Sequence, residues 1–355
     1  MTSAAPLRIA QLSPLWTRIP PATYGGVELL IKLLVDELVA RGHEVTLFAT
    51  GDCDTKARLH AVCRTNLCEL IESGEACMFE YYANALMTDV LRRVGEFDII
   101  HSHLAPAWLP LGALSPTPVL WTMHTLALCD DDWALQRYPS VEVAGISEAQ
   151  MRGPAGRIGR QFPIVYNGCD FDAFDPCFEP GEYLAFIGRM SRAKNPLGAI
   201  RIAKEVGLPI VLAGQPQNAD EQRWFANEVK PLIDGSAVRW IGPANHRQKN
   251  ELLRHASALL FPIEWDEPFG LVMIEAMACG CPVVAHRRGS VPEVIDEGVT
   301  GFHSEAMEDV AGLVPRALAL DRAAVRDRAR GRFSHRTMVD SYLKLYRTVA
   351  SRACY

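Results

Sequence analysis

Residues 261–285 read FPIEWDEPFGLVMIEAMACGCPVVA, and this stretch decides the fold of the second half of the chain. An apolar strand is followed by a loop with three acids and by a helix that begins near Phe269 or Gly270. Gly280 ends this helix, and Pro282 opens the next strand. A strand, a helix and a second strand in this order predict two parallel strands joined by a crossover helix.

The same alternation extends outward through the whole chain. Apolar runs predict strands at residues 7–13, 44–50, 97–101, 118–124, 141–146 and 163–166, and again at 183–187, 209–213, 238–241, 258–261 and 282–285. Apolar residues at helical spacing predict helices, at Val27, Leu30, Ile31, Leu34, Val35 and Leu38 and at residues 196–206, 220–232, 247–256 and 270–279. Because apolar strands alternate with helices, we predict an α/β protein with parallel sheets covered on both faces.

Two successive runs of strands predict two doubly wound, Rossmann-like domains, because a single sheet would need too many strands. We place the domains at residues 1–170 and 171–335, with Asp170–Gly181 as the linker. We predict a last helix at residues 336–355. Its apolar stripe is expected to pack against another part of the protein. The stripe comprises Met338, Tyr342, Leu345, Tyr346 and Val349.

Composition bounds the class of protein. Of the 355 residues, 49% are hydrophobic and 22% charged, which excludes a disordered or coiled-coil chain. The net charge of −6 argues against a nucleic-acid partner. Residues 1–170 carry 13 basic and 19 acidic side chains, whereas residues 171–355 carry 23 of each. This asymmetry indicates two modules that meet different partners.

Targeting signals are not evident. The chain begins without a basic segment followed by an apolar one, and no apolar run of about 18 residues is present. We therefore expect a cytoplasmic protein without membrane association. Cys279 and Cys281 are open to two interpretations, a metal or redox site and small reduced core residues, and the second is favoured.

Glu267 and Glu275 are the first candidate site residues. Glu267 lies in the loop after a strand, and Glu275 lies one to two turns into the following helix. The amides of residues 269–272 begin that helix, where unpaired donors and the helix dipole attract an anion. We predict that Glu275 reaches a diol such as a ribose. The alternative is that both glutamates are acids favoured at a helix start.

Arg189 and Lys194 follow the first strand of the second domain, in the segment IGRMSRAKNP. Two cations beside a helix start suit a diphosphate, although they are also ordinary surface charges. In the first domain, Gly25 and Gly26 precede a helix and let a ligand approach the backbone, or they form a plain turn.

Histidines and acids also follow strands of the first domain. His124 lies at the end of a predicted strand, where a functional histidine belongs, whereas the roles of His101 and His103 stay open. No third ligand completes a metal site with these two. Asp130–Asp132 are predicted to lie in a solvated acidic loop.

These motifs resemble the retaining nucleotide-sugar glycosyltransferases of family 4. The run EPFGLVMIEAMACGCPVVA is similar to the Glu-x7-Glu signature of that family, and GRMSRAK is similar to its Gly-Arg and Lys loop. Four further segments also resemble the family: YGGVE, YNGCDFDAF, ISE and the closing FSHRTMVDSYLKLY. The resemblance covers essentially the whole chain. It implies the GT-B fold of two facing domains, with a last helix that crosses back to the amino-terminal domain.

The resemblance also implies roles for the candidate residues. Arg189 and Lys194 would hold the diphosphate of the donor, and Glu275 its ribose. Glu267 and the amides of Phe269, Gly270, Leu271 and Val272 would meet the donor sugar and phosphate. Gly26, next to Gly25, would lie against the phosphate, and His124 would lie near the sugar's far hydroxyls. Base contacts would come from the backbone around 239–243.

We therefore expect a retaining glycosyltransferase that moves a hexose from a nucleotide sugar, with UDP-glucose first, to the hydroxyl of an acceptor. UDP, GDP and ADP all stay open as donor nucleotides. Neither a metal nor another cofactor is expected, since cations and a helix start can neutralise the leaving diphosphate.

The acidic first half favours a soluble, neutral or cationic acceptor, either a small molecule or a saccharide. The alternatives are a nucleotide-sugar epimerase or hydrolase and a non-catalytic sugar-nucleotide-binding protein. Nothing in the sequence indicates an oligomeric state.

Overall fold

The structure, a computed structural model, describes residues 5–21, 25–179 and 181–352. The described residues divide into two compact units. The first unit runs up to Asn167 and takes up the chain again from His335, and the second unit comprises Gly168–Ser334.

The first unit is built on one sheet. Its strands are β1 (Arg8–Leu12), β2 (Glu44–Thr50), β3 (Arg58–Cys63), β4 (Ile99–Ser102), β5 (Val119–Thr122) and β6 (Glu142–Ala144). Its helices before the second unit are α1 (Gly26–Ala40), α2 (Leu67–Glu72), α3 (Phe79–Leu91), α4 (Leu109–Gly112), α5 (Cys129–Arg137) and α6 (Glu148–Ile158). The strand order is β3-β2-β1-β4-β5-β6, and the pairings are parallel.

The central strands of this sheet are apolar because helices cover both of its faces. Ile9 of β1 pairs with Val45 of β2 and with Ile99 of β4. Phe48 of β2 and Trp121 of β5 are fully buried and anchor the core. The predicted parallel sheet is therefore confirmed for the first half of the chain.

The second unit repeats this architecture. Its strands are β7 (Tyr183–Ile187), β8 (Ile210–Ala213), β9 (Val238–Trp240), β10 (Ala256–Phe261), β11 (Val283–His286) and β12 (Gly301–Ser304). Its helices are α7 (Pro196–Val206), α8 (Ala219–Trp224), α9 (His246–Arg254), α10 (Leu271–Ala278), α11 (Val291–Val294), α12 (Val310–Leu318) and α13 (Arg322–Phe333). The strand order is β12-β11-β10-β7-β8-β9, again with parallel pairings.

Each sheet therefore has one point where the direction of winding reverses. In the first unit the chain winds from β1 out to β3 and then returns to the other side of β1 with β4. In the second unit it winds from β7 out to β9 and returns with β10. We call the carboxyl ends of β1 and β4 the first switch point, and those of β7 and β10 the second switch point. In doubly wound sheets, ligands bind at such points.

The last helix, α14 (His335–Arg352), follows the second unit in the chain but packs in the first. Tyr346 accepts a hydrogen bond from Gln11 at 2.8 Å, and the hydroxyls of Tyr342 and Thr122 lie 3.1 Å apart. Of the predicted apolar stripe, Leu345 is partly exposed and the other four members are buried. The stripe therefore covers the first sheet.

Two strands were not predicted, β3 and β12. Each lies at an edge of its sheet, and each is short and mixed in polarity, so the sequence there lacks a continuous apolar run. The prediction of a strand at residues 163–166 is wrong, because this segment makes only an isolated bridge between Ile164 and Gly145. Pro163 has no N–H to donate to a ladder.

Two further predictions need correction. Asp130–Asp132 do not lie in a loop but in the first turn of α5, where the helix dipole favours acids. The predicted linker packs within the second unit, since Phe171 and Phe174 are buried and Arg326 donates to the Phe171 carbonyl at 2.7 Å. Pro180 lies outside the described residues.

Across the described ranges, no helix is both long enough and apolar enough to cross a membrane.

Candidate active site

Two loops begin side by side at the second switch point. Ile187 ends β7 and Phe261 ends β10, and these strands are hydrogen-bonded neighbours. The loop of residues 188–195 therefore emerges beside the loop of residues 262–270. The first loop contains Arg189 and Lys194, and the second contains Glu267.

Asn195 joins the two loops. Its backbone lies in the left-handed region, with a φ of 56°. Its side-chain oxygen accepts from the Gly198 N–H at 2.9 Å and caps α7, while its amide donates to the Pro262 carbonyl at 3.0 Å. The Glu264 N–H also donates to the Ala193 carbonyl at 2.8 Å. These bonds hold the loop after β7 against the loop after β10.

Lys194 and Glu267 form an ion pair between these loops. Lys194 Nζ contacts Glu267 Oε2, and the two side chains are 20% and 10% exposed. Trp265 Nε1 donates to the same carboxylate oxygen at 2.9 Å. The ammonium also lies 5.0 Å from the centre of the Trp265 ring, where the electron-rich face favours a cation. The pair thus fixes one cation and one carboxylate at the switch point.

Gly270 precedes α10 and has a left-handed backbone conformation that residues with a side chain rarely adopt. Its φ is +79°, and a Cβ there would lie 2.7 Å from Met273 Cε. Phe269 is buried beside it, whereas Gly270, Leu271 and Val272 are partly exposed. The first-turn amides of α10 therefore reach the surface next to Glu267, and they form the positive end of the helix.

The loop after β11 holds Glu267 from the other side. The Ser290 N–H donates to the Glu267 carbonyl at 2.9 Å, and Ser290 Oγ donates to the Phe269 carbonyl at 2.8 Å. A Cβ on Gly289 would lie 2.3 Å from the Glu267 carbonyl oxygen. Close backbone approach at Gly289 is therefore needed to keep Glu267 in position.

Glu275 is buried on α10 and pairs with a residue that sequence reasoning did not single out. Its Oε1 contacts Nζ of Lys249 on α9, and the two side chains are 8% and 18% exposed. A buried carboxylate without a partner would be costly, and Lys249 supplies that partner. Glu275 is fixed in orientation and lies one turn along the helix from Leu271.

Arg189 does not join Lys194 and Glu267. Its Nη1 donates to Gln217 Oε1 at 3.2 Å, and its Nε lies 3.4 Å from Glu221 Oε1, both after β8. Its side chain is 38% exposed. The expected pair of cations is therefore split between Lys194 at the switch point and Arg189 beside the next strand.

This arrangement can neutralise a di-anion that arrives at the second switch point. Lys194 supplies a full charge, and the start of α10 supplies backbone N–H groups at the positive end of a dipole. Glu267 and Glu275 supply acceptors for hydroxyl groups. Fixed donors of this kind stabilise a leaving group on which negative charge develops, because they need no reorganisation.

Gly25 and Gly26 lie at the start of α1, after the first strand of the first unit. A Cβ on Gly25 would lie 2.7 Å from Pro21 Cβ and 2.9 Å from Glu28 Oε2, so the backbone there is tightly enclosed. Burial raises the pKa of Glu28. The rest of the predicted glycine motif, residues 22–24, lies outside the described residues.

A buried chain of hydrogen bonds connects α14 with His124. Gln11 Nε2 donates to the Tyr346 hydroxyl at 2.8 Å, and Gln11 Oε1 lies 3.0 Å from His103 Nε2. His103 Nδ1 lies 2.9 Å from His124 Nε2. His101 joins the same chain, with Nδ1 2.7 Å from the Tyr346 hydroxyl. His101 and His103, whose roles the sequence left open, are therefore structural partners of His124.

The direction of these bonds fixes the tautomer of His124. Burial lowers the pKa of His124 to about 4 and holds that of His103 well below its ordinary value, so both rings are neutral near pH 7. Gln11 Oε1 only accepts, so His103 carries its proton on Nε2 and accepts from His124 Nε2–H. His124 Nδ1 is then an acceptor, and it is buried without a hydrogen-bond partner among the described residues.

Sequence reasoning missed the partners that orient the candidate residues. Lys249 lies 26 positions before Glu275, and no spacing rule connects them. Gly289 and Ser290 lie in the loop after β11. A position after a strand is the sequence signal from which the other site residues were predicted. Asn195 stands inside a quoted motif, and its position just before Pro196 is the signal of a helix cap.

Other features of the second unit lie apart from these residues. An open groove of about 530 Å³ runs along α9 and includes Arg239 and Ile241 from the segment predicted to contact the base, but not Arg189, Lys194, Glu267 or Glu275. Cys279 and Cys281 are buried free thiols, and burial raises the pKa of Cys281 to about 12. No cluster of three or more His, Cys, Asp or Glu suited to a metal ion is present in the described part of the chain.

Two family models match successive parts of the chain. Residues 24–151 match the model described as Glycosyltransferase Family 4, and residues 173–332 match that of Glycosyl transferases group 1. Each model covers one of the two units. The second match contains Arg189, Lys194, Glu267 and Glu275.

Relatives and solved structures extend these matches. The D-inositol 3-phosphate glycosyltransferase of Mycobacterium bovis is 27% identical over 393 residues, which cover 91% of this chain and 78% of the relative. The crystal structure of AviGT4, a glycosyltransferase involved in avilamycin A biosynthesis, has 23% identity, a TM-score of 0.72 and 98% coverage of both chains. Anabaena HepE, solved in complex with UDP and glucose, has 17% identity, a TM-score of 0.72 and coverage of 96% of this chain and 99% of its own.

The last two likenesses show the fold, two Rossmann-like domains as in GT-B glycosyltransferases. The two family matches and the mycobacterial relative support a glycosyltransferase of the family 4, GT-B type.

Proposed function

We propose that this glycosyltransferase transfers a hexose from a nucleotide-diphosphate sugar, with UDP-glucose as the first donor to test, to an acceptor hydroxyl with retention of anomeric configuration. The observation that carries the proposal is the Lys194–Glu267 pair beside the start of α10 at the second switch point. The choice of UDP-glucose is supported by Anabaena HepE, whose structures are complexes with UDP and glucose and with UDP-glucose.

Each residue has a distinct part in this proposal. Lys194 and the amides of Leu271 and Val272 bind the diphosphate, and Arg189 swings from its contact with Glu221 to bind it as well. Glu275, held by Lys249, accepts hydrogen bonds from the ribose diol. Gly25 and Gly26 let the backbone of the first unit approach the donor closely.

Two further groups meet the transferred sugar. Glu267 accepts from its hydroxyls, since Lys194 and Trp265 already set the orientation of the carboxylate. His124 accepts from another sugar hydroxyl through the unpartnered Nδ1. A buried acceptor without a partner is costly, and a hydroxyl on the substrate would relieve that cost.

The chemical step exchanges one C–O bond for another. The acceptor oxygen bonds to the anomeric carbon as the bond from that carbon to the diphosphate breaks, and the acceptor proton passes to the leaving phosphate oxygen. Attack from the face of the leaving group gives retention. The cations and helix dipole at the second switch point stabilise the charge on the departing diphosphate. On this account the reaction needs no metal ion.

The test is turnover of UDP-glucose with a panel of hydroxyl acceptors, with the anomer of the product determined by NMR. The proposal expects an α-linked product from the α-configured donor, at a rate unchanged by EDTA. Release of free glucose or an epimerised UDP-sugar without acceptor would instead indicate a hydrolase or an epimerase. Binding of UDP-glucose without any turnover would indicate a non-catalytic binding protein.

A further inference from the structure

The first switch point holds a cavity that the proposed donor site does not use. A slot of about 50 Å³ opens between the segment after β1, with Leu15 and Trp16, and the segment after β4, with Leu104 and Trp108. We call it the apolar slot. Its position matters because doubly wound sheets bind ligands outside the carboxyl ends of the strands where the strand order reverses.

The walls of the apolar slot carry no charged side chain. Besides the four residues named above, they include Pro14, Leu67, Phe79, Ala83 and Ala105. Among the aromatic walls, ring centres lie 4.9 Å apart for Trp16 and Phe79 and 5.7 Å apart for Phe79 and Trp108. The slot is therefore a small aromatic box that offers contact area to an apolar group.

Hydrogen bonds hold the walls in place. The Leu67 N–H donates to the Leu15 carbonyl at 2.9 Å, which ties the start of α2 to the segment after β1. Trp108 Nε1 donates to Asn84 Oδ1 at 2.9 Å, so its indole N–H is already used. The slot is thus preformed, which lowers the entropic cost of binding a ligand.

Apolar surface continues outward from the mouth of the slot. Trp16, a wall residue, is 41% exposed, and Met78, which precedes the wall residue Phe79, is 50% exposed. Large apolar side chains exposed together mark binding sites more often than isolated ones do. A ligand seated in the slot would cover part of this surface.

The charges of the first unit limit which ligands the apolar slot can bind. No Asp, Glu, Lys or Arg occurs between Asp98 and Asp130, a stretch that includes β4, Leu104–Trp108 and β5. Residues 1–170 as a whole carry an excess of six acids. An anionic acceptor would find no cation on the slot's walls, in a unit whose net charge is negative, so a neutral ligand is favoured.

We propose that the apolar slot binds an apolar ring edge or alkyl group of a neutral acceptor, which leaves the acceptor hydroxyl outside the slot. This inference rests on the proposed glycosyl transfer and names the acceptor class for it. A cavity of roughly 150 Å³ holds a whole benzene ring, so a slot of this size takes only the edge of a larger ring system. The acceptor thereby differs in class from the inositol phosphate named for the mycobacterial relative.

Two matched substitutions test the slot. Ala105 lines it and is exposed, so Ala105→Phe fills the mouth without disturbing the core. Ala107 is also exposed, two residues on, and does not line the slot, so Ala107→Phe is the control. The probe is 4-methylumbelliferone, a neutral ring compound with one hydroxyl, titrated in the presence of UDP and followed by the indole N–H signals of Trp16 and Trp108 in NMR spectra.

We expect the probe to shift both indole signals in the wild-type protein. Ala105→Phe should weaken its binding at least tenfold, whereas Ala107→Phe should change it less than twofold. Equal binding to both variants, no binding to wild-type protein that still binds UDP, or tighter binding of inositol 3-phosphate than of the probe would overturn the slot proposal. Failure to bind UDP-glucose at all would overturn the proposed donor function instead, so the two failures are distinguishable.

Discussion

The two switch points have the same topology and opposite chemistry. Both lie at the carboxyl ends of the two central strands of a six-stranded parallel sheet. The second holds an ion pair, Lys194 with Glu267, beside a helix start. The first holds the aromatic walls of Trp16, Phe79 and Trp108. The fold thus provides two equivalent places for ligands, and the side chains that follow each strand decide what binds there.

The difference also explains how the two places are stabilised. At the second switch point, buried charges need partners and hydrogen bonds, and Trp265, Lys249 and Ser290 supply them. In the apolar slot at the first switch point, the walls are packed aromatic and aliphatic side chains, and the hydrogen bond from Trp108 Nε1 to Asn84 lies at its edge. We therefore expect substitutions at the second switch point to have the larger effects.

Removal of the cation should have the largest effect. Lys194→Ala takes away the ammonium that binds the diphosphate and leaves Glu267 without its partner. By analogy with loss of a transition-state donor, kcat/KM for UDP-glucose should fall by roughly 10² to 10³-fold. Steady-state kinetics measures this. Lys204→Ala, an exposed lysine on α7, is the control and should leave kcat/KM unchanged.

Displacement of the Glu267 loop should come next. Gly289→Ala puts a Cβ against the Glu267 carbonyl, and a shift of about 1 Å in a site residue costs up to about 100-fold in rate. Gly298→Ala introduces the same kind of backbone strain, with a φ of +78°, where a Cβ meets nothing within 4 Å. Equal losses of kcat in the two variants would show that strain, and not the position of Glu267, is responsible.

The ribose contact should have an intermediate effect. Glu275→Gln keeps the shape of the side chain but removes its charge, and a hydrogen bond to a charged group is worth about 1 to 1.5 kcal/mol more than one to a neutral group. The Kd for UDP, measured by calorimetry, should therefore rise about tenfold or slightly more. Unchanged UDP binding would contradict the assignment. Glu251→Gln, an exposed glutamate on α9, serves as the control.

The last prediction is a pH dependence of stability, not of activity, that separates the units. His124 is neutral when folded down to a pKa of about 4, whereas the unfolded chain takes up a proton near pH 6.5. The contribution of His124 to the stability of the first unit is therefore constant above pH 6.5 and falls below it, by about 1.4 kcal/mol per pH unit until pH 4. His101 and His103, whose pKa values burial also lowers, act in the same direction.

Hydrogen exchange at pH 7.5 and pH 5.5 measures this effect for each unit. Amides in β4 and β5 should lose protection at the lower pH. In the second unit, His303 is only partly buried, with a lowered pKa, so β7 and β8 should change less. Equal loss of protection in both units would contradict the assignment of the buried histidines as the cause.

Much of the fold could be predicted from the sequence, but less of the candidate site. Continuous apolar runs mark the central strands, whereas β3 and β12 mix polar and apolar residues because many of their side chains are only partly buried. Lys194 and Glu267 could be found because each lies in the loop that follows a strand. Lys249 and the apolar slot could not, because their contacts join segments far apart in the chain and only tertiary packing brings these together.

The central claim is that the second switch point binds the donor nucleotide. Hydrogen exchange with and without UDP tests it most directly, because it reports on both switch points and on the α9 groove in one experiment. We predict protection of residues 188–195 and 264–275 by UDP, with no change at Leu104–Trp108. Protection confined to the α9 groove, or centred on the segments that line the apolar slot, would contradict the claim.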